Sequence, residues 1–250
     1  MASTVETVFL GIPDEFTNPD TARAAIIPVP YDLTSSWKKG ADKGPAALIN
    51  ASGTVELFDI ETKSEPYRRG IATLPPVECN GSPEAMSAMV AERVGDVLRK
   101  NQIPVVLGGE HSVSIGAVQA TAKKFKHLSV LQIDAHGDTR EEYEGSTHNH
   151  ACIMARAREV AEIVQVGIRA IERDEYERMD LDRVYFAHDI ARARQNRDDS
   201  WMDRIVDQLT DHVYLTIDLD AFDPAFVPAT GTPEPGGLDW YTVNELIRRV

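Results

Sequence analysis

Cysteine is nearly absent from this chain of 250 residues, which contains only Cys79 and Cys152. Two cysteines cannot form the disulfide framework of a small secreted protein, so we expect both to be reduced thiols. No apolar run reaches the ~18 residues that a membrane span requires. The first 16 residues, MASTVETVFLGIPDEF, lack the basic region and apolar segment of a signal peptide. These absences favour a cytoplasmic protein without a membrane partner.

Positive charge is also scarce. The chain has 26 Lys and Arg residues against 40 Asp and Glu residues, with a formal net charge of −14. A protein this acidic does not attract the phosphate backbone of nucleic acid, which argues against nucleic acid as a partner. The same charge is compatible with a small cationic substrate. The apolar fraction of 42% is sufficient for the core of a globular domain.

Short apolar segments typical of buried strands alternate with segments of helical periodicity. The strand-like segments include AAIIPVP, IPVVLGG, LSVLQIDA, EIVQVGI, RVYFA and HVYLTIDLD. Ser82 and Pro83 mark the start of a long helix. Uninterrupted apolar strands separated by helices indicate a parallel sheet that is covered on both faces. We therefore predict a single α/β domain over residues 1–250, with three α/β/α layers and a mainly parallel central sheet.

Six side chains that commonly bind metals follow three of the predicted strands. They are His111 in VVLGGEHS, Asp134, His136 and Asp138 in VLQIDAHGD, and Asp218 and Asp220 in VYLTIDLDAFDP. Ligands of parallel α/β sheets bind beyond the carboxyl ends of the strands, where all three clusters fall. Burying an unpaired carboxylate is costly, so these groups need a partner or a metal. The oxygen-rich set predicts two Mn²⁺ or similar divalent ions that share bridging carboxylates.

Each cluster also has an ordinary structural explanation. His111 alone is compatible with a hydrogen-bonded histidine near a helix start, and Asp218 and Asp220 are compatible with a cap or turn. The DAHGD segment is the strongest cluster, because alternate side chains of an extended chain point to one side. Three such groups would repel one another without a cation. Their joint occurrence at strand ends favours the metal.

The same segments resemble the signature regions of the ureohydrolase superfamily, which comprises arginases, agmatinases and their relatives. GGEHS, DAHGD and TIDLDAFDPAFVPATGTPEPGGL match these regions in order, and PVPYD and GADKGPAALINAS are most similar to agmatinases. The resemblance implies an arginase/deacetylase-like fold with two Mn²⁺ per chain. One ion would be bound by His111, Asp134, Asp138 and Asp218, and the other by Asp134, His136, Asp218 and Asp220, with Asp134 and Asp218 bridging.

The resemblance also implies a reaction. Hydroxide activated by the metals would attack the guanidino carbon of agmatine and give putrescine and urea. Asp138 would carry a proton to the leaving nitrogen, and His150 would act outside the metal shell. His148 is the alternative for that second role. We favour His150 because the family pattern places its histidine directly before the small residue that opens the next helix, which is Ala151 in this sequence.

Other substrates and a non-enzymatic function stay open. A related ureohydrolase would act on guanidinobutyrate, another guanidino compound or formiminoglutamate, and a catalytically silent homologue would only bind metal. The loop 139–150 has Arg140 as its only Arg or Lys and contains Glu141, Glu142 and Glu144, which favours a cationic guanidino substrate. The other explanation of these glutamates is a solvated loop.

Two departures from the family pattern concern the first signature and the last segment. Glu110 stands where many members of the family have Asp, and we expect little effect because the carboxylate is retained. The chain ends inside YTVNELIRRV, which is typical of an amphipathic helix, so we expect it to lack the carboxyl-terminal strand and helix of the family. The family further implies a homo-oligomer, either a trimer or a hexamer.

Overall fold

The computed structural model describes residues 8–250. The first seven residues, on which part of the signal-peptide prediction rests, lie outside the described residues. The chain divides into two compact units, one containing the chain up to Leu33 with Lys39–Ala120, and the other containing Thr34–Lys38 with Thr121–Val250. The prediction of one catalytic domain over residues 1–250 stays a prediction.

The first unit contains a parallel sheet of three strands. These are β1 (Ala24–Val29), β2 (Ile71–Thr73) and β3 (Ile103–Gly108), in the order β2-β1-β3. The central strand β1 pairs in parallel with both neighbours, and every one of its residues after Ala24 is buried. A strand that is buried on both faces explains the continuous apolar sequence AAIIPV.

Three α-helices accompany this sheet: α1 (Gly44–Ser52), α2 (Pro83–Arg99) and α3 (Val113–Lys124), the last of which crosses the boundary between the units. Helix α2 begins as predicted, with Pro83 in its first turn and the Ser82 hydroxyl accepting the amide N–H of Ala85. Helices α2 and α3 approach closely at Gly116. A Cβ atom at that position would lie 2.0 Å from the carbonyl oxygen of Ser87, so only glycine fits there without a shift of the backbone.

The second unit contains a parallel sheet of four strands. These are β4 (Leu128–Ile133), β5 (Glu162–Ile168), β6 (Val184–Phe186) and β7 (His212–Ile217), in the order β6-β5-β4-β7. All residues of β4 are buried, and this strand pairs in parallel with β5 and β7. Because β4 and β7 are neighbours, the segments that follow them emerge at the same edge of the sheet.

The second unit is completed by helices α4 (Ile153–Ala157), α5 (Arg173–Tyr176), α6 (Ala187–Gln195), α7 (Ser200–Asp207) and α8 (Trp240–Arg249). Its core combines apolar side chains of the sheet with apolar side chains of α6, α7 and α8, including Leu131, Ile133, Val164, Val166, Ile190, Trp201, Ile205, Val243 and Leu246. The predicted parallel α/β fold is confirmed. Among the helices of residues 8–250, none is both long and apolar enough to cross a bilayer.

Candidate metal centre

Two of the predicted ligand clusters meet at the carboxyl ends of β4 and β7. Asp134 directly follows β4 and Asp218 directly follows β7. The amide N–H of Asp218 donates to the carbonyl of Ile133 at 2.9 Å, which continues the strand pairing by one residue. A carboxylate oxygen of Asp134 lies within 4.8 Å of one of Asp218. The two carboxylates that the sequence predicts as bridging ligands are therefore neighbours.

A second group consists of Asp134, His136 and Asp220. One potential ligand atom of each lies within 4.8 Å of the other two. The imidazole Nδ1 of His136 is 3.0 Å from Asp220 Oδ2 and 3.7 Å from Asp134 Oδ1. Asp134 and Asp220 are only 1% and 2% exposed. Two buried carboxylates thus face one imidazole.

Backbone N–H groups orient these carboxylates. Asp134 Oδ1 accepts the N–H of His136 at 2.7 Å, and Asp220 Oδ1 accepts the N–H of Ala135 at 3.1 Å. Asp218 Oδ1 accepts the N–H of Asp220 at 3.1 Å and caps the short 3₁₀ helix Leu219–Ala221. The predicted cap at Asp218 is therefore present, and it does not compete with a ligand role because a carboxylate has several lone pairs.

The charges of this group are strongly coupled. Burial lowers the pKa of the His136 imidazole, but the hydrogen bonds and charges of Asp134 and Asp220 outweigh burial and raise that pKa to about 11. Burial raises the pKa of the Asp220 carboxyl, the hydrogen bond with His136 opposes this rise, and the charge of Asp134 adds to it. The group therefore favours a positive charge between its carboxylates.

The residues present fit a divalent cation. The two carboxylates stabilise a positive charge on the His136 imidazole, and a divalent cation bound by the same atoms would be stabilised in the same way. Carboxylate oxygens with one imidazole form a hard donor set that suits Mn²⁺ better than a sulfur-preferring metal. Burial favours the bound cation further, because the carboxylates are already removed from water.

Asp138 departs from the geometry that the sequence predicts. Strand β4 ends at Ile133, and Asp138 has a φ of 53°, so the alternation of an extended chain does not continue to this residue. The side chain is 7% exposed. Among residues 8–250, Asp138 is not part of a group of three whose ligand atoms all lie within 4.8 Å of one another. Its roles as ligand and proton carrier stay predictions.

His111 lies in the first unit, between β3 and α3. Its carbonyl accepts the N–H of Ser114 at 3.0 Å, as expected for a residue at a helix start. The preceding Glu110 is buried and accepts the Ser112 hydroxyl at 2.7 Å. A Cβ atom at Gly109 would lie 1.9 Å from the carbonyl oxygen of Tyr31, so the backbone passes too close to Tyr31 for any residue but glycine. The ligand role of His111 stays a prediction.

His150 is held by two hydroxyl groups that the sequence analysis missed. Its Nε2 lies 3.0 Å from Ser36 Oγ and its Nδ1 lies 3.4 Å from Thr34 Oγ1. The Thr34 hydroxyl also accepts the N–H of His150 at 3.1 Å, and the ring of Tyr143 packs edge-on at 6.0 Å. His148 Nδ1 lies 3.0 Å from the hydroxyl of its neighbour Thr147. The polar segment LTSSW was the available signal for Thr34 and Ser36.

Two charged side chains of the loop 139–150 are engaged in ion pairs. Glu141 pairs with Arg156 at 2.6 Å and also with Arg158. Arg140 pairs with Glu172 at 2.9 Å. Glu141 is exposed and already paired with two arginines. These contacts favour a solvated loop residue over a carboxylate that binds the substrate.

Arg169 was also missed by the sequence analysis. Its guanidinium donates to the carbonyls of Asp220 at 2.6 Å, Glu234 at 2.7 Å and Pro235 at 3.1 Å. Asp223 Oδ2 accepts the N–H groups of Gly236 and Gly237 at 2.8 Å and 3.1 Å. These contacts hold together the two ends of the segment 223–237, which we call the 223–237 loop. Within the loop, the Thr232 hydroxyl reaches Asp220 Oδ2 at 3.4 Å.

Comparison with known proteins identifies the family of this chain. The sequence profile of the arginase family matches residues 22–250. An N(1)-aminopropylagmatine ureohydrolase from a Synechocystis species is 37% identical over 243 residues, covering 92% of this chain and 77% of its own. An agmatinase from Pyrococcus horikoshii is 33% identical over 225 residues, covering 89% of this chain and 76% of its own.

Solved structures give the same result. The crystal structure of agmatine ureohydrolase of Thermoplasma volcanium superimposes with a TM-score of 0.86 and 33% identity, covering 100% of this chain and 85% of that chain. With carboxylates and an imidazole clustered at the ends of parallel strands, the chain belongs to the arginase family and is a ureohydrolase, an enzyme that hydrolyses guanidino compounds.

Proposed function

We propose that this protein hydrolyses the guanidino group of agmatine to give putrescine and urea, and that it uses two Mn²⁺ ions. The observation that carries the proposal is the group of Asp134, His136 and Asp220 at the carboxyl end of the second sheet, in which both carboxylates are buried. Two cations held by these residues would lower the pKa of a water molecule towards neutrality, which would supply the nucleophile that the unreactive guanidinium carbon requires.

The side chains of the protein have separate roles in this proposal. Asp134, Asp218, His136 and Asp220 hold the cations, and His111 and Asp138 complete the set predicted from the sequence. A water molecule adds to the guanidino carbon, the bond from that carbon to the alkyl-bearing nitrogen breaks, and the amine leaves with a proton. Asp138 carries that proton from the water to the leaving nitrogen.

His150 binds or protonates the substrate in this proposal. Both ring nitrogens face hydroxyls, so the ring orientation is set by Thr34 and Ser36. Either hydroxyl can donate or accept, which lets the imidazole gain or lose a proton without a change of partner. This is a suitable arrangement for a proton shuttle near neutral pH.

A longer substrate is a second candidate. The relative from Synechocystis, at 37% identity, is an N(1)-aminopropylagmatine ureohydrolase, and the relative from Pyrococcus horikoshii, at 33%, is an agmatinase. Both compounds carry a guanidinium at one end and a cationic amine chain, so both suit a protein with a net charge of −14. The reaction at the guanidino carbon is the same for the two.

Urea release by the Mn²⁺-loaded protein distinguishes these substrates. Agmatine, N(1)-aminopropylagmatine, arginine and guanidinobutyrate are compared at equal concentration, and kcat/KM is determined for each. We expect agmatine to have the highest kcat/KM. A higher value for aminopropylagmatine would replace our substrate with the longer one. Guanidinobutyrate and arginine both carry a carboxylate, so release from either of them alone would contradict both amine substrates.

Separate replacement of His150 and His148 by alanine tests the role of His150. We expect His150→Ala to lower kcat/KM by about 100-fold or more, the usual contribution of a positioned acid–base group. His148→Ala is the matched control, since it removes a neighbouring histidine of the same loop, and we expect nearly unchanged kinetics. Equal effects of the two substitutions, or a larger effect of His148→Ala, would contradict the assignment.

We also propose a cytoplasmic homo-oligomer, a trimer or a hexamer, as the family resemblance implies. Light scattering coupled to size-exclusion chromatography measures its mass directly. A monomeric mass at micromolar concentration would contradict this part of the proposal.

A further inference from the structure

Two buried glutamines lie behind the candidate metal centre. Gln132 on β4 and Gln165 on β5 are opposite each other in the parallel register. They are 0% and 2% exposed. Amide groups are rarely buried in a sheet core, because each of their donors and acceptors must then find a partner inside the protein. Their partners therefore indicate why polar side chains occupy these positions.

Gln132 connects directly to the candidate ligands. Its Nε2 donates to Asp134 Oδ2 at 2.9 Å and to the carbonyl of His136 at 3.2 Å. A carboxylate and a carbonyl can only accept hydrogen bonds, so the nitrogen end of the amide must face them. The orientation of the Gln132 side chain is thereby fixed, and so is the second oxygen of Asp134.

Gln165 supports Gln132 and the adjacent loop. Its Nε2 donates to Gln132 Oε1 at 2.5 Å and to the carbonyl of Gly137 at 2.8 Å. The first bond holds the Gln132 amide in the orientation that Asp134 requires. The second fixes the peptide group that leads into Asp138, whose φ of 53° lies in the left-handed region. The two amides thus form a continuous chain from β5 to Asp134.

We propose that Gln132 and Gln165 are positioning residues of the metal centre. They orient the carboxylate of Asp134 and fix the carbonyls of His136 and Gly137, and so they hold the DAHGD segment in its ligand-presenting conformation. This inference rests on the proposed function, because it assumes that these residues bind metal. Hydrogen bonds to metal ligands commonly tune affinity, since they set the ligand orientation before the ion binds.

Gln132→Met tests the proposal. Methionine has a similar length but no donor, so Asp134 and the His136 carbonyl lose their shared partner. We expect the affinity for Mn²⁺ to fall about 10- to 100-fold, the usual effect of losing such a contact. We also expect kcat for urea release to fall while KM changes little, because the substrate is not touched. Equilibrium dialysis with metal analysis on the full chain measures affinity and stoichiometry.

Gln165→Met gives an independent measurement, because Gln165 touches no ligand side chain. We expect a smaller loss of Mn²⁺ affinity than for Gln132→Met. In the double variant, the effect of Gln165→Met should be smaller than in the wild type, because one of the two hydrogen bonds of Gln165 acts through the Gln132 amide. Full additivity of the two losses would contradict a connected chain.

Gln102→Met is the matched control. Gln102 is also a buried glutamine, 7% exposed, and its Nε2 donates to the carbonyls of Pro19 at 3.0 Å and Ala22 at 2.7 Å in the first unit. We expect it to lower the Tm without changing Mn²⁺ affinity. If Gln132→Met bound Mn²⁺ as tightly as the wild type, or if Gln102→Met lost as much Mn²⁺ affinity as Gln132→Met, the inference would be overturned. The proposed function would not be affected by either result. A wild-type protein that binds no Mn²⁺ would instead contradict the proposed function and the inference with it.

Discussion

Asp134→Asn is expected to reduce urea release by about 1,000-fold or more, since ~4 kcal/mol of stabilisation of the developing charge is lost with the cations. Asp134 is the residue common to both candidate groups: it lies near Asp218 on one side and near His136 and Asp220 on the other. An amide is neutral and offers one oxygen instead of two. We therefore expect the variant to bind fewer than two Mn²⁺ per chain, measured by metal analysis after dialysis.

Asp189→Asn is the control for this substitution. Asp189 is an exposed aspartate on α6 whose ion pair with Arg192 lies on the surface, and such pairs contribute little to stability. We expect unchanged Mn²⁺ content and urea release. Full activity of Asp134→Asn would exclude Asp134 as a bridging ligand. Normal metal content with lost activity would instead assign Asp134 a role in the reaction without a role in binding.

The second large effect concerns stability. Gly116→Ala is expected to lower the free energy of unfolding by about 3 kcal/mol, the upper part of the usual range for overpacking. The added Cβ would lie 2.0 Å from the carbonyl oxygen of Ser87 and 3.0 Å from the amide nitrogen of Ala91, so two backbone groups of α2 would have to move. For a protein of this size we expect a Tm lower by roughly 10 °C, measured by calorimetry or circular dichroism.

The same substitution at Gly95 is the matched control. Gly95 also lies within a helix, but its added Cβ would meet only the end of the flexible Arg99 side chain, at 3.4 Å. Alanine is the better helix former by up to ~1 kcal/mol, so Gly95→Ala should leave the Tm unchanged or raise it. If both variants had the same Tm as the wild type, the close approach of α2 and α3 would not restrict residue 116.

Much of the fold was predictable, because its strands are buried on both faces and therefore appear as continuous apolar runs. The sequence predicted β1, β3, β4, β5, β6 and β7 within a few residues of their bounds. It missed β2, whose three residues Ile71–Thr73 are too few to give a periodic signal. The start of α2 was also predictable, since Ser82 and Pro83 act through local backbone geometry.

The candidate site was predictable only where a side chain acts directly. Asp134 and Asp218 were expected to meet because they follow strands, and the pairing of β4 with β7 makes them neighbours. The supporting residues Gln132 and Arg169 were not expected. The role of Gln132 depends on the pairing of β4 with β5, and the role of Arg169 depends on carbonyls that are distant in sequence. Local residue patterns predict neither of these.

The anchored ends of the 223–237 loop have a consequence for how its length can change during evolution. Its base is fastened by Arg169 and Asp223, while Thr232 inside it reaches the carboxylate of Asp220. Lengthening a closed loop costs little, about 0.6 kcal/mol for each doubling. Insertions or exchanges between the fastened ends can therefore accumulate by drift without displacing Asp220.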